Sequence, residues 1–376
     1  MKYTKLVIIS TNDLDSRINQ LFGTRGLIKR GVDVEYWNVS ALTYNIKMPL
    51  DDVEGLTKRD FTSFSDFRAY VRKTGSKTTL YLVYMNFDGK TAFCYRELSK
   101  QGLSMAYCVN GVLPPIASIK SRIAKFNLLR VLNNRIWSVL KRTKLFAPLK
   151  YQLNTCVKAE VDYKIDKSTK MIAFNSTDFV ASRRILDLDI QTPYIVFIDQ
   201  YLPLHPDNKV AGLHAINPDL YYKSINHFFS MIEEQEHCRV VIAAHPIAQR
   251  YKEHNPFDGR DIFYYKTNSL VKNAKGVICH HSTAISFVSI FEKPIIVLTS
   301  DAIIANMSMI NEYCKSFAAI LGGRLINMDH IPDDVRFEPI DEDKYSAYKY
   351  NYVTNPSSES HTNEEILYSI LEGRYE

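Results

Sequence analysis

The chain has 376 residues, a net charge of +6, 46% apolar and 23% charged residues, the balance of an ordinary globular protein. It is too long for one comfortable core, so two domains are expected. No run approaches the roughly eighteen apolar residues of a membrane span, and the opening MKYTKLVIISTND meets Asp13 and Asp15 too soon for a signal peptide.

In chain order, KLVIIS (5–10) reads as a buried strand, the polar loop 11–16 follows, and 17–29 has helical spacing up to Gly31. Strands are then expected at 32–39, 79–87 and 104–112, with Asp88-Gly89 as a turn and 91–101 as a helix. Pro114-Pro115 breaks the pattern, and 171–179 reads as a late strand. Strand–helix–strand repetition of this kind favours a parallel, doubly wound sheet.

The stretch between has an unusual charge pattern. No acidic residue lies between Glu97 and Glu160, whereas Lys120, Arg122, Lys125, Arg130, Arg135, Lys141, Arg142 and Lys144 alternate with apolar residues and Trp137. A basic amphipathic segment over about 116–150 suits an anionic membrane surface, with a solvated helical face as the plain alternative. Nucleic acid ranks well behind, because no nucleic-acid-binding motif accompanies the charge. The six cysteines are scattered without a CxxC pair, which fits a reducing cytosol and argues against a disulfide framework or a zinc site. A soluble cytoplasmic protein is expected, peripheral on the inner face of the plasma membrane if the basic segment docks there.

The pattern restarts in the second half. Strands are expected at 192–200, 239–246, 261–267, 276–281 and 294–300, and helices at 217–236, 268–274 and 282–292. The expected layout is therefore two Rossmann-like α/β domains facing a cleft, at 1–185 and 190–345, followed by a 346–376 tail ending in a helix. Ligands in such sheets sit at the carboxyl ends of strands.

Two motifs fall at such ends. His280-His281-Ser282-Thr283 closes a buried strand and opens a nearly all-apolar helix, where backbone N–H groups and hydroxyls bind phosphate. The plain alternative is a helix N-cap. Ala244-His245-Pro246 ends the strand RVVIAA, and a histidine held there is able to donate to a departing phosphate; a loop histidine without a role is the alternative. About 35 residues, one strand–helix–strand passage, separate the motifs, which places both at one sheet edge.

Strand–His-Pro, a further strand, then (H/N)-S-T before an apolar helix and K-P-hydrophobic resembles the C-terminal domain of bacterial GT-B glycosyltransferases that use CMP-activated sugars. These include sialyltransferases, Kdo transferases and related nonulosonate (pseudaminic or legionaminic acid) transferases of capsule and lipopolysaccharide O-antigen assembly. CDP-glycerol polymerases of teichoic-acid type carry similar motifs. The resemblance covers Ile195 to Thr299 and extends to the first half only as general architecture. It implies that His245, Ser282 and Thr283 hold the donor phosphate, that the donor is a CMP-sugar, and that the acceptor is a glycan or lipid-linked glycan. No cofactor beyond that donor is implied. A UDP-sugar donor and a non-catalytic glycan-binding scaffold stay open as alternatives.

The resemblance implies a base in the N-terminal domain, which in some sialyltransferases belongs to a D-(D/E)-G-like motif after a strand. Asn86-Phe87-Asp88-Gly89 matches it in part, since Asn86 stands at the first acidic position. Asp88 is thus one candidate base, Asp13 in the loop after the first strand an equal one, and Asp178 a third. Asp15 suits a helix cap. Gln200, beside Asp199, is expected to reach donor or acceptor, and Lys266-Thr267 the nucleotide base or phosphate. His205 and His281 are close in sequence to these loops, but spacing assigns them no work. Asp13-Leu14-Asp15 and Asp187-Leu188-Asp189 match D-x-D, a metal-holding triplet elsewhere; such triplets arise by chance, and no metal requirement is expected.

Overall fold

A computed structural model of the chain describes residues 2–45, 48–109, 112–115, 136–137, 139–210 and 213–375. The core of the basic segment, 116–135, lies outside the described residues. The chain divides into two compact units, one of Met1–Val112, Arg122–Val180 and Tyr350–Glu376, the other of Leu113–Ser121 and Ala181–Lys349.

The first unit holds seven parallel strands: β1 (Lys5–Ser10), β2 (Asp33–Asn38), β3 (Thr57–Asp60), β4 (Thr79–Tyr84), β5 (Ser104–Val109), β6 (Tyr151–Asn154) and β7 (Lys170–Ala173). Their spatial order is β3-β2-β1-β4-β5-β6-β7, which reverses between β1 and β4. Helices cover both faces, so the central strands read as continuous apolar runs. Along β1, Leu6 and Ile8 enter a core with Phe22, Tyr36 and Tyr84, while Val7 and Ile9 enter a second with Trp37, Phe61 and Phe67.

The expected helix over 17–29 is two short ones, Ser16–Phe22 and Thr24–Lys29, parted by Gly23 at φ 59°. A Cβ at Gly23 would stand 2.6 Å from Glu364 Cβ, so both the left-handed turn and the close approach of the C-terminal helix require glycine. That helix, Asn363–Glu372, starts with a Thr362/Glu365 capping box and buries Ile366, Leu367, Ile370 and Leu371 in the first core. Beneath its start, Asn363 Nδ2 donates to the carbonyls of Leu21 (2.8 Å) and Asn175 (2.9 Å), and its Oδ1 accepts the Asn175 amide at 2.9 Å.

The strand expected over 171–179 is shorter. After β7 the chain leaves the ladder, and 177–182 is a helix with Asp178 in its first turn. At Asn175 the backbone amide and carbonyl are taken by the Asn363 side chain in place of ladder partners, and the Asn175 side chain bonds Ser358, His361 and Thr354.

The second unit holds β8 (Tyr194–Ile198), β9 (Arg239–Ala244), β10 (Ile262–Tyr264), β11 (Gly276–Cys279), β12 (Ile295–Thr299) and β13 (Arg324–Asn327). All pair in parallel in the order β10-β9-β8-β11-β12-β13, which reverses between β8 and β11. Asn217 caps the helix Pro218–Glu236, with proline at a position that needs no N–H. All six cysteines are free and buried, three in each unit. Among the described residues no helix is long and apolar enough to cross a membrane.

Candidate functional site

In an open parallel sheet the loops at the carboxyl edge splay apart where the strand order reverses, and that gap takes ligands. In the second unit the reversal falls between β8 and β11, whose ends carry Gln200 and His281. Gln200 is buried and its Nε2 donates to the His281 carbonyl, joining the two strand ends. This leaves Gln200 Oε1 and His281 Nδ1 buried without a hydrogen-bond partner. Burial, and then the nearby His205, push His281 down to about 4, so its ring is neutral at physiological pH.

His245 follows β9, on the other side of β8. Its ring meets that of His205 edge to face, with centroids 5.1 Å apart. Burial, then His205, hold its basicity below the ordinary histidine value. Nδ1 of His245 accepts the Ile247 amide at 3.3 Å, and Nδ1 of His205 accepts the Asp207 amide at 3.2 Å. With Nδ1 accepting, the neutral His245 ring carries its proton on Nε2, a donor left for a ligand. His205, like His281, is a residue to which spacing assigns no work. The available signal was its own His205-Pro206 pair, a second copy of the His245-Pro246 dipeptide.

Ser282 and Thr283 follow β11 but do not begin the helix. The expected helix over 282–292 is Ile285–Ile290, preceded by a turn of i→i−3 bonds, Ile285 to Ser282 (3.1 Å) and Ser286 to Thr283 (3.2 Å). Ser282 Oγ accepts the Ala284 amide at 3.2 Å, a local turn contact, and Thr283 is exposed. The His245 and Ser282 loops thus leave the strands on either side of β8, whose end carries Gln200. Lys266 and Thr267 follow β10, the outermost strand beyond β9, with Lys266 Nζ 5.9 Å from the centroid of the Phe263 ring.

His280, one residue from the edge, is structural. Its Nδ1 meets the Leu298 carbonyl at 2.8 Å, so it carries the proton there, and Nε2 accepts the Tyr221 hydroxyl at 2.8 Å. Burial pushes it from 6.5 down to about 4. The unfolded chain thus protonates first as pH falls, so this group's stability is complete above about 6.5 and lost toward 4. His280→Gln is expected to flatten the dependence of melting temperature on pH between 4.5 and 7; an unchanged slope would assign that dependence elsewhere.

In the first unit the order reverses between β1 and β4, and the two candidate bases stand in the loops leaving those strands. Asp88 Oδ1 accepts the amides of Lys90 (2.8 Å) and Thr91 (3.0 Å) and the Thr91 hydroxyl (3.3 Å), which makes it a turn cap. Asp13 receives no side-chain hydrogen bond among the described residues; Tyr36 donates to the carbonyls of Asn12 and Asp13. Asp15 caps the helix Ser16–Phe22. Asp189 accepts from Gln191. Among the described residues no group of three or more His, Cys, Asp or Glu is placed to hold a metal ion.

Neither a family model nor a curated protein matches the sequence. Solved structures do match. The wall teichoic acid polymerase TagF is 10% identical over 99% of this chain and 90% of that chain, with a TM-score of 0.53. A Listeria monocytogenes protein described as a candidate UDP-N-acetylglucosamine 2-epimerase is 10% identical over 99% and 97%, with a TM-score of 0.51. The UDP-GlcNAc 2-epimerase from Methanocaldococcus jannaschii is 14% identical over 98% and 100%, at 0.47. The likeness to the first two establishes the fold, two Rossmann-like α/β domains of GT-B type.

Proposed function

We propose that the chain is an enzyme that transfers a group from a nucleotide-activated donor, whose phosphate binds at the carboxyl edge of the second sheet. One observation carries this reading. Gln200, His205, His245, His281 and Ser282 gather at the strand-order reversal, with buried polar atoms of Gln200 and His281 left unpartnered. Nε2 of His245 donates to the phosphate, Ser282 and Thr283 complete its cradle, and Lys266-Thr267 reach the nucleotide from the outer strand.

For the donor we propose a CMP-activated nonulosonate and for the acceptor a hydroxyl of a bacterial surface glycan. The bond from the sugar's anomeric carbon to the phosphate oxygen breaks, its electron pair leaves with CMP, and the acceptor oxygen forms the new bond. A carboxylate takes the acceptor's proton, and Asp13, whose carboxylate is uncommitted, is favoured over the capping Asp88. CDP-glycerol is the second donor reading, favoured by the fold shared with TagF, of which a structure soaked with CDPG is known. The exposed Ile136, Val139 and Leu145 beside the exposed Arg142 and Lys144 support work at the inner, anionic face of the membrane.

The test is a donor panel of CMP-sialic acid, CMP-Kdo, CDP-glycerol and UDP-N-acetylglucosamine, each followed for consumption with and without glycan acceptors. Consumption of a CMP-sugar alone is expected. Consumption of CDP-glycerol or the UDP-sugar instead would reassign the donor, and no consumption with no nucleotide binding by calorimetry would leave a scaffold.

A further inference from the structure

The central strand of the second sheet ends in a carboxylate that the proposed reaction does not use. Asp199 follows the apolar run of β8, is 3% exposed, and forms no ion pair with Lys or Arg among the described residues. Its amide donates to the Ala243 carbonyl at 3.0 Å, continuing the β8–β9 ladder by one residue. Oδ1 accepts the Tyr201 amide at 3.0 Å, and Oδ2 has no hydrogen-bond partner. Tyr221 and Tyr222 face it from the helix Pro218–Glu236, Tyr251 from the turn at 249–252, and Tyr264 from β10. Burial foremost, and the charge of Asp199 as well, push all four phenols up. Burial likewise pushes the Asp199 carboxyl up to about 6, against the opposing pull of the Tyr201, His245 and Gln200 backbone and the Tyr251 hydroxyl.

A buried carboxylate without a cation costs the fold stability, and groups perturbed in this way cluster at functional sites. What lies next in the chain says what it does. Tyr201 stands at φ 54°, a left-handed conformation that an aromatic residue rarely adopts, and the Asp199 carboxylate holds it by its amide. Between the two is Gln200, whose side chain clamps the end of β11. A charge, a strained turn and a cross-strand clamp are therefore three consecutive residues at the strand-order reversal.

We infer that Asp199 is a positioning residue: as a carboxylate it is a charge-assisted acceptor that holds the 199–201 turn and so fixes Gln200 against β11, and as a carboxylic acid it offers the Tyr201 amide only a weaker, neutral acceptor and holds both less firmly. The inference rests on the proposed function only in taking a nucleotide as the ligand whose binding the turn permits. Binding is then half-supported at about pH 6, full about one unit above it, and weaker below, by up to about 10-fold at pH 5, where one molecule in about ten keeps the charge. Stability moves the opposite way. The folded carboxyl is the weaker acid, so the stability it confers is present below about 4 and lost as pH rises through about 6.

The test compares the full chain with Asp199→Asn, which keeps an acceptor for the Tyr201 amide but never ionises. Binding of CMP and of UDP is measured by calorimetry from pH 5 to 8, and melting temperature over the same range. Wild-type affinity is expected to rise with pH, and the variant to bind weakly at every pH while melting above wild type at pH 7.5. Tyr201→Gly, free of the left-handed strain, is expected to hold the turn without the charge and so to bind with little dependence on pH. A variant affinity that tracks pH as wild type does, or a melting difference that is constant with pH, overturns the inference. If wild type binds neither nucleotide, it is the proposed function that fails, and the melting comparison still decides whether Asp199 titrates as described.

Discussion

Replacing His245 with alanine is expected to lower turnover by about 100- to 1000-fold, the usual loss when one donor to developing transition-state charge is removed. The fold is expected to survive. The half-buried ring makes one long hydrogen bond, from the Ile247 amide, and an edge contact with His205, so its removal empties no core. The neutral ring presents Nε2–H outward, and His245→Gln, which offers an amide N–H at similar reach, is expected to recover part of the loss. Turnover of the donor identified by the panel, measured beside the thermal melt, separates catalysis from stability. Near-normal turnover of His245→Ala would remove this residue from the mechanism and shift attention to His205.

The largest loss of stability is expected from Asn363→Ala. The side chain is buried and satisfies three backbone groups: the Leu21 carbonyl and both the amide and the carbonyl of Asn175. A buried backbone group left unpaired costs about 1 kcal/mol or more, so the substitution should destabilise the first unit by about 3 kcal/mol. Since Asn363 also begins the helix that buries Ile366, Leu367, Ile370 and Leu371, the penalty is felt where that helix docks. Urea unfolding, read as a shift of midpoint at constant slope, checks it. A shift corresponding to less than about 1 kcal/mol would mean that the network re-forms around water.

The central strands were legible because they are fully buried. KLVIIS, TLYLVY, YIVFI and RVVIAA are continuous apolar runs, and a strand covered on both faces needs no other signal. The edge strand β3, Thr57-Lys58-Arg59-Asp60, escaped notice because its charges suit an outer position rather than a core. The helix boundary at Ser282 was misplaced for a local reason: Ser and Thr favour caps and tight turns alike, and here the turn prevails. Of the site, Gln200, His245 and Ser282 were legible as strand ends. His205 was not, because a ring contact across a loop leaves no periodic trace in sequence. Asp199 was visible only as a neighbour of Gln200, since nothing in its spacing reveals that tyrosines from three elements surround it.

The even division of the buried thiols gives the protein an internal clock for opening. Cys94, Cys108 and Cys156 belong to the first unit and Cys238, Cys279 and Cys314 to the second, and burial makes Cys94, Cys108 and Cys279 poor nucleophiles as folded. A maleimide should therefore label Cys94 and Cys108 only when the first unit unfolds, and Cys279 only when the second does. Mass mapping of the adducts would then report the two domains' lifetimes separately, in a single tube and without a tag.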